Sequence, residues 1–245
     1  AFTTDSYVVD PIFFPGGSIG GLAIHGTIND LAMAAAMPIG ISVGLIIEEG
    51  LAVSTLRTIL EDMSAAAEKS GVRILTGDTK VVPRGKVDKI FINTSGIGVM
   101  EHDLDISGRN ARVGDKILIN GTIGDHGMAV MTSREGLALD SDITSDSAPL
   151  NRLVADLIHG VGSQLHALRD PTRGGVATTL KEIAIQSEVE ITLRENSLPV
   201  GSTVAAACSI LGLDPLFVAN EGKLLAFIAP EAAEQALMIM RSHEF

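Results

Sequence analysis

The feature that most constrains the fold is the scarcity of large aromatic side chains. The 245 residues contain no Trp, one Tyr and seven Phe, but 26 Gly. The core must therefore be built from Ala, Val, Ile, Leu and Met, with backbones approaching closely at Gly and Ala. Hydrophobic residues make up 46% and charged residues 20%, which is typical of a packed globular chain. The length fits one large domain or two ordinary ones.

Acidic residues outnumber basic ones, 30 against 18, which gives a formal net charge of −12. Such a chain would repel a nucleic-acid backbone or an anionic membrane surface, so we expect no nucleic acid and no membrane among its partners. The longest uncharged run, from Leu31 to Ile47, contains Pro38 and is shorter than the roughly 20 residues of a spanning helix. The single Cys208 excludes a disulfide framework and fits a reducing cytosol, so we expect a cytoplasmic protein.

Hydrophobic periodicity predicts an α+β architecture. Apolar residues recur at three- and four-residue steps over 53–70, which predicts a helix that ends at Gly71. A second, buried helix is predicted over 20–37. Strands are predicted at 2–9, 39–47, 72–76 and 89–99, and near 189–194 and 223–229 in the second half. A polar stretch after residue 100 divides the chain into an N-terminal domain, 1–108, and a C-terminal domain, 109–245.

Gly77-Asp78-Thr79-Lys80 lies at the C-terminal end of the predicted strand 72–76. Gly77 would let the backbone approach a ligand, and the amides and the Thr79 hydroxyl could cradle phosphate oxygens. Asp78 could hold Mg²⁺, and Lys80 could contact a phosphate. Alone, the tetrapeptide fits equally well a solvated turn with an ion pair between Asp78 and Lys80.

Two further carboxylates occupy positions where acidic residues are unusual. Asp5 lies in a predicted strand, and Asp30 lies in an Ala-rich helix. Burying a charge is costly unless it is paired or binds a metal, so a shared Mg²⁺ would stabilise Asp5, Asp30 and Asp78 together. The alternative is that one of them caps a helix and another lies on the surface.

The segment Asp170-Pro171-Thr172-Arg173-Gly174-Gly175 precedes a predicted helix. Its glycines leave free amides at the helix N-terminus, which favours an anion, and Arg173 could bind a phosphate. The alternative is an ordinary helix cap with a salt bridge. A serine hydrolase is not indicated, because Ser42 in Gly40-Ile41-Ser42-Val43-Gly44 is followed by more strand residues rather than by a helix.

Six short motifs occur in one order along the chain: Thr3-Thr4-Asp5-Ser6, Asn29-Asp30, Gly77-Asp78-Thr79-Lys80, Gly124-Asp125-His126-Gly127, Asp170-Pro171-Thr172-Arg173-Gly174-Gly175 and Asn220-Glu221-Gly222-Lys223. Together they resemble the ATP-binding superfamily of aminoimidazole ribonucleotide synthase, selenophosphate synthetase and thiamine-monophosphate kinase. Within it, the chain is most similar to the HypE family of hydrogenase maturation proteins, through Thr4 to Pro11, Phe13 to Gly17, 77–82 and 220–223. The resemblance extends over essentially the whole chain.

The resemblance implies a two-domain α+β fold like that of aminoimidazole ribonucleotide synthase, with a homodimer formed through the sheet of the N-terminal domain. It implies an enzyme that receives a carbamoyl group on a C-terminal cysteine from the carbamoyltransferase HypF and uses ATP and Mg²⁺ to dehydrate it to thiocyanate. That product supplies the cyanide ligands of nickel–iron hydrogenase, through the HypC–HypD complex.

The resemblance also implies a role for each residue that matches the family's motifs. Asp5, Asp30, Asp78 and Asp170 would contact Mg²⁺ and phosphates. Gly77 and Thr79 would lie close to the nucleotide, where Arg173 is a further candidate. Lys80 and Glu221 would be catalytic and face the modified cysteine. Lys80 would offset the phosphoryl charge, and Glu221 would act as a base whose proton affinity is raised by burial.

The family's N-terminal glycine-rich segment and its C-terminal cysteine tail are not among the 245 residues, so we expect this chain to bind nucleotide without being carbamoylated. Cys208, on a predicted helix, does not match the tail cysteine. Two alternatives stay open. One is an enzyme like selenophosphate synthetase or aminoimidazole ribonucleotide synthase that acts on a small substrate, and the other is a nucleotide-binding scaffold for maturation partners.

Overall fold

The computed structural model describes residues 1–134 and 142–244. The strands are β1 (Phe2–Tyr7), β2 (Phe13–Phe14), β3 (Gly17–Ser18), β4 (Met37–Glu48), β5 (Arg73–Val82), β6 (Ile90–Val99), β7 (Lys116–Ile119), β8 (Leu165–Arg169) and β9 (Leu225–Ile228). The α-helices are α1 (Ile19–Met33), α2 (Val53–Ser70), α3 (Asp125–Thr132), α4 (Asn151–Val161), α5 (Gly175–Gln186), α6 (Ser202–Leu211) and α7 (Ala233–Ser242). The predicted helix 53–70 is confirmed as α2, which ends at Gly71 in the left-handed conformation.

The first sheet has the strand order β1-β6-β4-β5, with β4 and β5 parallel and the other neighbours antiparallel. Helices α1 and α2 cover one of its faces, where the alternate residues of β4 from Ile41 to Ile47 join the hydrophobic core. The pairing register places Asp5, Thr94, Val43 and Gly77 in one row across the four strands. Directly paired residues point to the same face, so this row faces the helices.

The opposite face of this sheet is uncovered in the single chain. Phe2 and Ile97 are paired there and are 69% and 51% exposed, and Ile46 is 40% exposed. Phe2 and Ile97 lie at one end of this face and Ile46 near the other, with the polar Ser95 and Asn93 between them. Exposed apolar side chains on an uncovered sheet face are typical of a protein interface.

The tetrapeptide from Gly77 to Lys80 lies in the middle of β5, so the strand predicted to end at residue 76 continues to Val82, and the alternative of a turn is wrong. The whole segment pairs in parallel with β4, from Gly40 opposite Arg73 to Glu48 opposite Val82. This long-range pairing overrides the local turn signal of Gly77, whose backbone is not in the left-handed region.

The second sheet has the antiparallel order β7-β9-β8 and is covered on both faces. Ala226 and Ile228 pack with α4 and α7, while Leu225 and Phe227 pack with α5. The strand predicted near 189–194 is wrong, because Val189 and Ile191 pack against the α5 side without joining a ladder. Within the described residues, no helix is long and apolar enough to cross a bilayer.

Candidate active site

A cleft of about 650 Å³ lies between the first sheet and the second unit. Thr3 of β1 and Asp30 of α1 line one wall, and Asp170 and Arg173 line the other. The wall residues come from both halves of the sequence. The C-terminal end of α1 packs into the core of the second unit through Ala32 and Met33, which holds the two walls together.

Two of the predicted carboxylates, Asp30 and Asp170, line this cleft, and a third, Asp5, lies near both of them. The Thr3 hydroxyl donates a hydrogen bond to Asp30 Oδ2 at 2.8 Å, and Asp5 lies two residues further along the same face of β1. Burial raises the pKa of Asp30, and the nearby Asp5 carboxylate raises it further. Burial and the neighbouring Asp30 raise the pKa of Asp170 to about 6. Arg173 Nη2 lies 4.0 Å from Asp5 Oδ1 on an exposed side chain.

The loop that carries Asp170 and Arg173 leads directly into α5. Gly174 and Gly175 have φ angles of 71° and 61°, in the left-handed region that favours glycine. A Cβ on Gly175 would lie 2.5 Å from the Leu216 carbonyl oxygen, so only glycine fits there. No side chain caps the helix N-terminus. The Gly175 amide donates to the Thr172 carbonyl oxygen at 3.2 Å, so an anion here would be bound by the amides that follow it in the first turn.

Glu221 lies close to Asp170, the residue that follows β8, and belongs to the same group of acidic residues. It is partly buried, and its pKa is raised well above the usual range by burial and then by the Asp170 and Asp146 carboxylates. The expectation that burial raises the proton affinity of Glu221 therefore agrees with its surroundings. A carboxylate of this kind is suited to accept a proton near neutral pH.

Asp78 and Lys80 lie elsewhere. Their side chains form an ion pair at 2.9 Å and are 70% and 69% exposed. The hydrogen bond from Lys80 lowers the pKa of Asp78. Asp78 pairs with Gly44 and thus faces the uncovered side of the sheet, opposite to the side that Asp5 faces. Strands β5 and β1 are the two edges of the sheet, about 14 Å apart at about 4.8 Å per strand.

Within one chain, the expectation that Asp5, Asp30 and Asp78 lie together is therefore wrong, and Lys80 does not meet Glu221. The physical reason is the strand order, since β5 pairs with β4 and never approaches β1. Gly77 and Thr79 lie on the same distant edge, although they face the helix side. The predicted site residues thus divide into an acidic group, at the cleft, and an edge group, on β5.

The comparisons with known proteins identify the family. The family described as AIR synthase related protein matches in both parts, its N-terminal domain over residues 1–100 and its C-terminal domain over residues 112–245. The carbamoyl dehydratase HypE of Bradyrhizobium diazoefficiens is 56% identical over 241 residues, which are 98% of this chain and 70% of that protein. The chain belongs to the HypE family.

Solved HypE structures have the same fold. A HypE–HypF complex superposes with a TM-score of 0.96 at 52% identity, covering 99% of this chain and 79% of that chain. A HypE structure in complex with ATP superposes with a TM-score of 0.95 at 54% identity, covering 98% and 72%. The two-domain α+β fold implied by the sequence motifs is therefore confirmed.

The carboxylates near the cleft are candidate ligands for magnesium. Among residues 1–134 and 142–244, no three His, Cys, Asp or Glu side chains are grouped so as to hold a metal ion. Protein sites for Mg²⁺-nucleotide commonly use only one or two carboxylates, with phosphates and waters completing the shell. Asp30 and Asp170 fit that role, because they are desolvated and repel each other. They do not form a metal site without the phosphates.

The structure also gives roles to polar residues for which the sequence alone indicated none. Asp146 and Lys223 form a buried ion pair at 2.8 Å, and the backbone of Gly222 packs directly on the Asp146 carbonyl. Asn29 and Asn220 are fully buried beside Glu221. Both asparagines stand next to predicted site residues, which is the one signal that could have found them. Cys208 is buried in the α3–α6 core, and burial raises its thiol pKa.

Proposed function

We propose that this chain is an ATP-dependent carbamoyl dehydratase. Its substrate would be a carbamoyl group carried on the thiol of a C-terminal cysteine, and its product a thiocyanate that supplies cyanide ligands in hydrogenase maturation. The observation that carries the proposal is the grouping of the partly buried Glu221 with the Asp30 and Asp170 carboxylates that line one cleft, in a chain 56% identical to a carbamoyl dehydratase. The cleft lies beside an uncapped helix N-terminus suited to phosphate.

The chemistry requires a leaving group and a base. The carbamoyl oxygen first attacks the γ-phosphorus of ATP, which releases ADP and converts the oxygen into a phosphate ester. Both N–H protons then leave the nitrogen, and the C–O bond breaks to release phosphate and form the C≡N triple bond. Glu221, with its raised pKa, is the proposed acceptor of one of these protons. Lys80 is proposed to offset charge on the transferring phosphoryl group.

Nucleotide binding is assigned to both groups of residues. Asp5, Asp30 and Asp170 would hold the Mg²⁺-bound phosphates, together with the amides at the start of α5 and with Arg173. Gly77, Asp78 and Thr79 would contact the same nucleotide from a second copy of the chain. Magnesium would supply the positive charge that four acidic side chains and a triphosphate need in order to approach one another.

The homodimer is part of the proposal. The uncovered face of the first sheet supports it, because burying Phe2, Ile46 and Ile97 against a second copy removes exposed hydrophobic area. The free edge of β5 supports it too, since unpaired edge strands recruit another chain.

HypF is proposed as the protein that donates the carbamoyl group, because a relative was solved in complex with HypF. HypC–HypD is proposed as the acceptor of the cyanide.

Mass spectrometry tests this function. A form of the chain that carries the family-type cysteine tail is incubated with HypF, carbamoyl phosphate and ATP. We expect the tail cysteine to gain about 43 Da on carbamoylation and then to retain about 25 Da as thiocyanate. Glu221→Gln should stop at the carbamoyl adduct, whereas the exposed control Glu231→Gln should complete the reaction. Carbamoylation without thiocyanate in the wild type would refute the proposal.

A further inference from the structure

The segment that carries Glu221 is held in place by buried asparagine side chains. Asn29 Nδ2 donates to the Glu221 carbonyl oxygen at 3.0 Å and to the Ala148 carbonyl oxygen at 2.9 Å. Its Oδ1 accepts from the Leu150 amide at 2.8 Å. Asn29 is 1% exposed, and its bonds to Ala148 and Leu150 are buried while its bond to Glu221 is partly buried. One side chain thus joins helix α1, the segment 148–150 and the backbone of Glu221.

Two other asparagines hold the flanks of the same segment. Asn120, at the end of β7, donates to the Gly222 carbonyl oxygen at 3.0 Å and accepts from the Leu224 amide at 2.8 Å. Asn220 accepts from the Gly124 amide at 2.7 Å and donates to the Pro171 carbonyl oxygen at 3.0 Å. These contacts fix the backbone on both sides of Glu221. Among the three, Asn29 alone bonds the peptide of Glu221 itself.

Asn29 also directly precedes Asp30, whose carboxylate faces the cleft. Because α1 is rigid, a bond from Asn29 to the Glu221 carbonyl sets the distance between Asp30 and Glu221. We infer that Asn29 is a positioning residue that holds Glu221 in register with Asp30. The inference rests on the proposed role of Glu221 as a base. In this arrangement Asn29 positions Glu221, and the neighbouring Asp30 faces the cleft.

The side chain chemistry explains why this position is Asn. Two carbonyl oxygens and one amide converge on it, so the residue must donate twice and accept once at one short side chain. Aspartate would keep the acceptor for Leu150 but would place its second oxygen against two carbonyl oxygens. Alanine would leave all three buried backbone groups without a partner. The bonds link residues more than 100 positions apart, so the local backbone cannot replace them.

The test compares Asn29→Ala with Asn151→Ala. Asn151 is also buried and directly follows Leu150, one of the partners of Asn29. It donates one hydrogen bond, to the Ser70 carbonyl oxygen, and none to Glu221. In the dehydration assay, Asn29→Ala should lower kcat about 100-fold, because small displacements of a reacting group are that costly. The affinity for Mg²⁺-ADP should stay within about threefold. Asn151→Ala should lower thermal stability but keep kcat.

Hydrogen exchange of residues 219–224 gives a readout that does not depend on activity. Asn29→Ala and Asn29→Asp should both speed this exchange, and Asn151→Ala should not. If Asn29→Ala does not fold, Asn29→Asp decides by the same two measurements. An unchanged kcat, or exchange equal to that of Asn151→Ala, would overturn the inference, as would a loss of nucleotide affinity that matches the loss of kcat. A wild type that forms no thiocyanate refutes the proposed function, and the exchange data then judge the positioning role alone.

Discussion

Two inactive variants of this chain should restore activity when they are mixed. Lys80 lies on β5 and faces the uncovered side of the first sheet, whereas Glu221 is grouped with the acidic residues near β1, and these two edge strands are about 14 Å apart. A lysine side chain cannot span that separation or pass through the sheet. If both residues act on one substrate, each site must therefore combine Lys80 from one copy with Glu221 from the other.

The expected magnitude follows from counting sites. Lys80→Ala and Glu221→Gln should each be inactive as homodimers. In an equal mixture, about half of the dimers are mixed, and each mixed dimer has one intact site and one doubly altered site. The mixture should therefore recover about a quarter of the wild-type dehydration rate. Both variants carry the family-type cysteine tail, and subunit exchange is verified by native mass spectrometry.

A second mixture serves as the control. Lys80→Ala and Asp78→Asn alter residues of the same strand, two positions apart, so every site in their mixed dimers lacks one of them. This mixture should recover no activity. Recovery in the control, or none in the first mixture despite proven exchange, would refute the composite site.

Two further predictions concern the cleft. Because the pKa of Asp170 is raised to about 6, the folded state binds this proton more tightly than the unfolded chain, and stability falls as the pH rises from about 4 through 6. At pH 8 without Mg²⁺, Asp170→Asn should thus be more stable than the wild type by up to about 3 kcal/mol in denaturant titrations, and it should show no gain below pH 4. The same variant should bind Mg²⁺-ATP more weakly in calorimetry. Stability curves that coincide for the two proteins at all pH values would contradict this prediction. Gly175→Ala should destabilise the fold by more than about 2 kcal/mol, because the new Cβ meets the Leu216 carbonyl at a positive φ. Gly212→Ala has a similar φ with open space around it and should cost about 1 kcal/mol, so equal losses in thermal denaturation would count against the steric argument.

The sequence predicts this fold best where the signal is local. Helix α2 has a regular apolar face and a glycine stop, and both of its ends match the prediction. Helix α1 ends at Met33 rather than at residue 37, because Ala35 takes a positive φ and the backbone turns before β4. Composition and periodicity say nothing of strand order, and strand order is what separates Asp78 from Asp5.

The candidate site was predictable in part for the same reason. Asp5, Asp30 and Asp170 stand out because each is an acidic residue at a position that normally disfavours one or at a helix start. Asp30 and Asp170 line the same cleft, and Asp5 lies near both. Asn29 carries no such local signal. Its partners, Ala148, Leu150 and Glu221, are brought to it only by the docking of the second unit on α1.

The strand order also limits how two copies can complete each other. The acidic group lies by the β1 edge and the edge group lies on β5, so each chain presents both halves of a site at opposite edges of one sheet. In a twofold dimer, every contact that β1 of one copy makes with its partner is repeated by the partner's β1 on the first copy. Two complete sites therefore form at once. A head-to-tail arrangement would complete one site per contact and leave unpaired edges at its ends, with no limit on growth. Twofold pairing across the uncovered face is therefore the arrangement that completes every site and hides the exposed Phe2 and Ile97 together.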